Sequence, residues 1–185
     1  MIDEIMADTK TRMKKSIAAV KVELAKIRTG RATPGLLDHV VVSYYGNDVP
    51  LNQAATISVS DARTLSVQAW EKNMVPTIEK AILESQLGLN PVTAGEVVRI
   101  PIPSLTEERR REMTKLVRTE GENGKVAIRN IRRDAISQAR DLVKSKDIGQ
   151  DDEKKGVEQI QSLTDQYTVE IDVQIKEKEA EIMEV

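Results

Sequence analysis

The chain predicts an α+β protein: an elongated three-helix bundle into which a small β/α domain is inserted. Three observations carry this reading. Residues 3–28, 106–146 and 151 to near the end place apolar residues at helical spacing. Residues 34–103 instead read as short β-rich runs around one short helix. Aromatic residues are scarce, with no Phe, one Trp and three Tyr, while 31% of the 185 residues are charged. That composition disfavours one large globular core and suits slender helices buried by Leu, Ile, Val and Met.

In the first segment Met6, Thr9, Met13, Ile17, Val20, Leu24 and Ile27 recur at alternating spacings of three and four, a heptad-like seam. Its methionines read as core filler. Thr29-Gly30, followed by Pro34, ends the helix. Leu36 to Tyr45 then predicts a strand, Gly46-Asn47-Asp48 a turn, Ala54 to Val59 a second strand, and Thr64 to Trp70 a third. Residues 75–86 predict a short helix with Ile78, Ala81 and Ile82 facing inward, stopped by Gly88 and Pro91. Glu96 to Pro101 returns to strand, and Tyr44, Tyr45 and Trp70 are expected to pack this unit.

Thr106 suits the N-cap of the next helix, with Glu107 and Glu108 in its positive first turn. This helix runs to about residue 146, roughly 60 Å at 1.5 Å per residue. Gly149 is expected at its C-terminal cap. Asp151-Asp152-Glu153 opens a last helix, seamed by Val157, Ile160, Leu163, Tyr167 and Ile171; the acidic triplet reads as a first turn, not a metal site. Gly121 and Gly124 fall on the core side of the second long helix, each costing about 1 kcal/mol relative to Ala. Close helix packing and a local kink are both open as the reason. Since no stripe can be hidden alone, residues 1–30 and 105–185 are expected to form one discontinuous domain, with 31–104 inserted. The crossings, Thr29, Gly30 and Pro34 on one side and Pro103, Ser104 and Thr106 on the other, are expected to act as a hinge.

The formal net charge of -2 conceals a division. Residues 1–31 carry eight Lys/Arg against four Asp/Glu, and residues 107–146 carry twelve against seven. Residues 32–106 carry four against seven, and residues 147–185 four against twelve. Cysteine is absent, which excludes disulfides and thiolate metal sites. Histidine occurs once, as His39, so no His-based triad or two-His metal site exists. Neither a Walker sequence nor a G-x-G-x-x-G is present, and no apolar run of membrane-spanning length occurs. Catalysis, a cofactor, a metal and a membrane are therefore not expected; a cytoplasmic monomer is.

At about 100° per residue, Arg111, Arg118, Lys125, Arg129, Arg132 and Arg140 project within about 40° of one direction. Met113, Val117, Ile128, Ile131 and Leu142 point about 120° away. A solvated face, or complementarity with the acidic last helix, would account for such a row. Arginine rather than lysine, the nearby Lys26, Arg28 and Arg31, and Arg109-Arg110-Arg111 in a first turn that disfavours cations argue for a phosphate-binding edge.

Lys26-Ile27-Arg28-Thr29-Gly30-Arg31-Ala32-Thr33-Pro34, Tyr44-Tyr45-Gly46 and Asp61-Ala62-Arg63-Thr64-Leu65 resemble the ribosome recycling factor family. So do Leu87-Gly88-Leu89-Asn90-Pro91, Arg99-Ile100-Pro101-Ile102-Pro103, Leu105-Thr106-Glu107-Glu108-Arg109-Arg110 and Arg129-Asn130-Ile131-Arg132-Arg133-Asp134-Ala135, in order along the chain. The resemblance implies an L-shaped, tRNA-like molecule that acts after termination. It implies binding to the large ribosomal subunit and splitting of the ribosome with elongation factor G and GTP, releasing it from mRNA. The rRNA contacts it implies are Arg28, Arg31, Arg110, Arg129, Arg132 and Arg133, with the β/α domain facing the elongation factor. The competing reading is a coiled-coil adaptor whose insert holds a protein client.

Overall fold

Helix α1 (Ile2–Ala25) follows its seam: Thr9, Met13, Ile17, Val20 and Leu24 are buried, as is Ile27 just beyond, and Met6 is half-buried. It closes before the predicted residue 28 because the Lys26 and Ile27 amides turn back to the carbonyls of Glu23 and Leu24, tightening the last turn. The computed structural model describes residues 1–184. It divides into one unit of Met1–Thr29 and Glu107–Glu184 and another of Gly30–Thr106.

In the first unit, α1 packs against two longer helices, here α3 (Glu107–Lys144) and α4 (Gln150–Met183), completing a three-helix bundle. Met13, Ile17, Ile128, Ile131, Tyr167 and Ile171 form one core cluster, and Val20, Leu24, Ile27, Val117 and Ile182 another. Burying each such aliphatic side chain contributes about 1.5–3 kcal/mol. Helix α3 continues without interruption through Gly121 and Gly124, both fully enclosed. A Cβ on Gly121 would overlap the Ile175 side chain, and one on Gly124 would overlap Val20 and lie 3.2 Å from Ile171 Cδ1. Close packing, not a kink, is the reason for both glycines.

Gly149 does not cap α3. It sits at the N-cap of α4 with φ -83°, in extended backbone. The left-handed residue is Lys146, at φ 62°. The Lys146 amide donates to Val143 O and the Asp147 amide to Leu142 O, the paired bonds of a Schellman turn.

The second unit begins with a 3₁₀ turn, Pro34–Leu37, where a strand was expected from Leu36. Proline pre-sets that turn, and Leu37 is driven into the core. Strands β1 (Val41–Tyr44) and β2 (Asn47–Pro50) form an antiparallel ribbon. Tyr45 (φ 48°) and Gly46 (φ 83°) make its two-residue turn, so Asn47 and Asp48 are strand, not turn. Strands β3 (Ala55–Asp61), β4 (Thr64–Ala69), β5 (Val92–Ala94) and β6 (Val97–Pro101) form a sheet in the order β3-β4-β6-β5, antiparallel throughout. The sequence reading missed β5. Helix α2 (Val75–Glu84) seats Ile78 and Ile82 among Leu65, Val67, Val98 and Ile100.

Two of the expected packing aromatics are on the surface. Tyr45 is 70% and Trp70 62% exposed, and only Tyr44 packs on the core. Leu65, Val67 and Ala69 occupy the inward positions of β4, so the residue after them faces out. Trp70 Nε1 donates to Thr56 Oγ1 at 2.9 Å, and the hydroxyls of Tyr44 and Tyr45 each donate to one oxygen of Glu71.

Candidate nucleic-acid interface

The basic row on α3 is not one continuous free edge. Arg118 Nε lies 2.7 Å from Glu179, Lys125 Nζ 2.6 Å from Asp172 and Arg140 Nε 3.8 Å from Glu153, all on α4. As residue number rises on α3 it falls on α4, so antiparallel packing sets basic positions opposite acidic ones. Complementarity within the bundle thus accounts for half of the row. In the first turns Arg109 pairs with Glu112 and Arg111 with Glu107, so local pairs account for two members of that triplet.

Arg110, Arg129, Arg132 and Arg133 are left to consider on α3. Arg129 Nη2 meets Glu122, one face down the same helix, at 2.6 Å, with both side chains largely in solvent. Arg132 is half-buried; its Nη1 donates to Gln161 Oε1 at 3.0 Å, and Gln161 Nε2 donates to Asp165 Oδ1 at 2.8 Å. A neutral amide thus holds the guanidinium and leaves its charge uncancelled. Arg133 is exposed and makes no ion pair among the described residues. The Nε atoms of Arg110 and Arg132 are buried without a hydrogen-bond partner.

Arg28 is exposed just past the end of α1. Arg31 is exposed in the β/α unit, so these two expected contacts fall in different units. Of the crossing residues, Thr29 ends one unit, Gly30 opens the other at φ 74°, and Thr106 closes it. Pro34 starts the 3₁₀ turn, while Pro103 and Ser104 are exposed irregular backbone. His39 is exposed, and no His/Asp/Glu group among the described residues could hold a metal ion. Among the described residues no helix is long and apolar enough to cross a membrane.

The sequence reading missed the outer face of α1. Lys10, Lys14, Lys15 and Lys21 are exposed and have no ion pair among the described residues, whereas Arg12 meets Asp134 at 2.7 Å and Asp8 at 3.9 Å. The signal was present: from Thr9 to Val22 the chain has five cations and no carboxylate.

The fold defines the class: an α+β protein in which two segments of the chain build a three-helix bundle and a β/α unit is inserted between them in sequence. The family model described as ribosome recycling factor matches residues 20–183. A ribosome-recycling factor from Legionella pneumophila (strain Corby) is 57% identical over 185 residues, covering 100% of both chains. One from Cupriavidus necator is 58% identical over 184 residues, covering 97% of this chain and 99% of that one. A solution structure of the ribosome recycling factor is 41% identical, with a TM-score of 0.72 and coverage of 100% and 98%. A second structure describes models of the T. thermophilus ribosome recycling factor and the E. coli elongation factor G bound to the E. coli post-termination complex; its matching chain is 45% identical, with a TM-score of 0.64 and full coverage of both chains. The chain belongs to the ribosome recycling factor family.

Proposed function

We propose that this protein docks its helical bundle on large-subunit rRNA after termination. With elongation factor G and GTP, it then splits the ribosome and releases it from mRNA. The family membership over nearly the whole chain supports this reading, as does the structural relative described with elongation factor G on a post-termination complex. The chain is not itself an enzyme in this scheme. GTP is hydrolysed by the elongation factor, and this protein binds and moves. Arg28, Arg31, Arg110, Arg129, Arg132 and Arg133 are the rRNA contacts. Residues 1–30 with 105–185 act as the docking domain, and residues 31–104 as the lever, swinging on Thr29, Gly30, Pro34, Pro103, Ser104 and Thr106.

The observation that carries the reading is selective neutralisation. Arg118, Lys125 and Arg140 pair with carboxylates of α4 and Arg129 with Glu122 of its own helix, while Arg132 and Arg133 have no carboxylate partner among the described residues. A guanidinium held by an amide keeps donors in a fixed fork for phosphate oxygens. The test is co-sedimentation with large subunits at physiological salt. The pair Arg132→Glu with Arg133→Glu lowers affinity by about tenfold or more, with helicity unchanged. Arg140→Glu, which reverses a charge already neutralised, leaves binding within about twofold. Undiminished binding by the double variant would overturn the proposal.

A further inference from the structure

We infer that an exposed flank of α1 is a second phosphate-binding edge, carried by Lys10, Lys14 and Lys21, which grips an RNA backbone. It rests on the reading that the bundle docks on ribosomal RNA. At about 100° per residue the three lysines project within about 40° of one direction. All are exposed, and none has an ion-pair partner among the described residues.

Helix stability does not account for them. Lys10 and Lys14 stand four apart, a like-charge spacing that destabilises a helix. The carboxylates of α1 are committed elsewhere or lie at its start: Asp8 faces Arg12, Glu23 pairs with Lys26, and Asp3 and Glu4 occupy the first turn. Nor does packing account for them: the buried seam of α1, at Met13, Ile17, Val20 and Leu24, projects about 70° to one side of the lysines, and all three stay exposed. The chain could have neutralised this face as it did the α3–α4 seam, and it has not.

The neighbouring positions on the same face are small. Ala7, Ala18 and Ala25 are all exposed and project within about 40° of Lys14. A helix with alanines between its lysines lets a sugar–phosphate backbone approach closely while the ammonium groups reach phosphates on one side. Along the axis the lysines stand about 6 Å and about 10 Å apart at 1.5 Å per residue. An anionic membrane is the poorer occupant, since within α1 itself Val22, 56% exposed, is the one large apolar side chain exposed among the described residues and surface helices need an apolar face to insert. The stripe supplies charge without base-specific donors, so it should add affinity and salt dependence without sequence preference.

The test uses the full-length protein with Lys10→Gln, Lys14→Gln and Lys21→Gln together, a change that keeps helix propensity. Affinity for purified large subunits is measured across a salt series, beside wild type and the Arg132→Glu, Arg133→Glu pair. Loss of three phosphate contacts lowers the slope of log affinity against log salt by about two to three and weakens binding by about tenfold at moderate salt. The melting temperature stays level or rises, because a like-charge pair has been removed. Unchanged slope and affinity in the lysine variant, with the arginine pair still impaired, would overturn the inference and leave the proposed docking intact. Failure of wild type to bind subunits would sink that docking itself. Binding of wild type, but not the lysine variant, to vesicles with anionic headgroups, with subunit binding unaltered, would assign the face to a membrane and overturn the inference.

Discussion

At the residue scale the glycines of α3 show packing overriding propensity. Alanine in a helix interior gains about 1 kcal/mol over glycine, and overpacking a filled core costs about 1–3 kcal/mol. The neighbour decides which wins. Val20 is β-branched and buried, so its side chain cannot swing from a new Cβ on Gly124; the half-buried Ile175 facing Gly121 can shift its outer atoms. Gly124→Ala therefore destabilises the protein by about 1–2 kcal/mol, and Gly121→Ala by less, in urea unfolding. Stabilisation of Gly124→Ala would contradict the enclosure described. A second residue-scale prediction concerns Glu71. Hydrogen bonds from Tyr45 and Tyr44 hold its carboxyl below the usual 4.5, and the bonds to Glu71 raise both phenols above 10.0. The bonded form needs an ionised Glu71 and protonated tyrosines. Its contribution to stability is present between those limits, is lost as pH falls through the lowered carboxyl value, and is lost again as pH rises through the raised phenol values. Glu71→Gln is thus less stable than wild type at pH 7, and the difference shrinks as pH falls below about 4.5. A constant difference from pH 7 to 3 would exclude this account.

At the element scale, what was legible in the sequence was whatever periodicity writes directly. The α1 seam is readable because six of its seven positions, Thr9 to Ile27, are buried on one side. The short strands β2 and β5 escaped because a run of three or four residues, exposed along most of its length, leaves no alternation to read. The α3 terminus escaped for another reason. Gly149 is the visible stop signal, but the hydrogen bonds place the left-handed turn at Lys146, a residue with no preference for it. A non-glycine residue in that conformation costs about 1–2 kcal/mol. Lys146→Gly is therefore expected to raise stability by about 1 kcal/mol, readable as a higher denaturation midpoint with unchanged slope. A loss of stability would mean that the lysine side chain contributes more than its backbone costs. The candidate site was legible as a set of arginines but not as a pattern of neutralisation. One helical wheel shows where cations point; it does not show that α4 presents Glu179, Asp172 and Glu153 to three of them. These pairs are largely exposed at one partner or both, so each contributes at most about 1 kcal/mol. Their larger effect is to offset charge at three positions of the row and leave it at Arg132 and at Arg133 beside it.

At the scale of the whole molecule, the proposed mechanism separates two requirements that the chain meets in different segments. Docking needs fixed charge on a stiff support, and α3 provides 38 residues of uninterrupted helix for it. Force transmission needs the inserted unit to stay mechanically connected to that support through the two crossings. Gly30 at φ 74°, with Leu105 Cγ 3.2 Å from where its Cβ would stand, packs one crossing strand against the other within the β/α unit. Two packed crossings let the lever swing about a defined axis, which a single flexible tether does not. Inserting Gly-Gly-Ser after Thr29 and again after Ser104 should therefore preserve large-subunit binding within about twofold, because every bundle cation is untouched. The same protein should split ribosomes at least about tenfold more slowly with elongation factor G and GTP, because flexible linkers behave as random coils and let the lever yield instead of pushing. Light scattering follows the splitting, and co-sedimentation the docking. Wild-type splitting by the lengthened protein would mean that docking alone weakens the intersubunit contacts, and the lever would have to be abandoned while the arginine assignments stood.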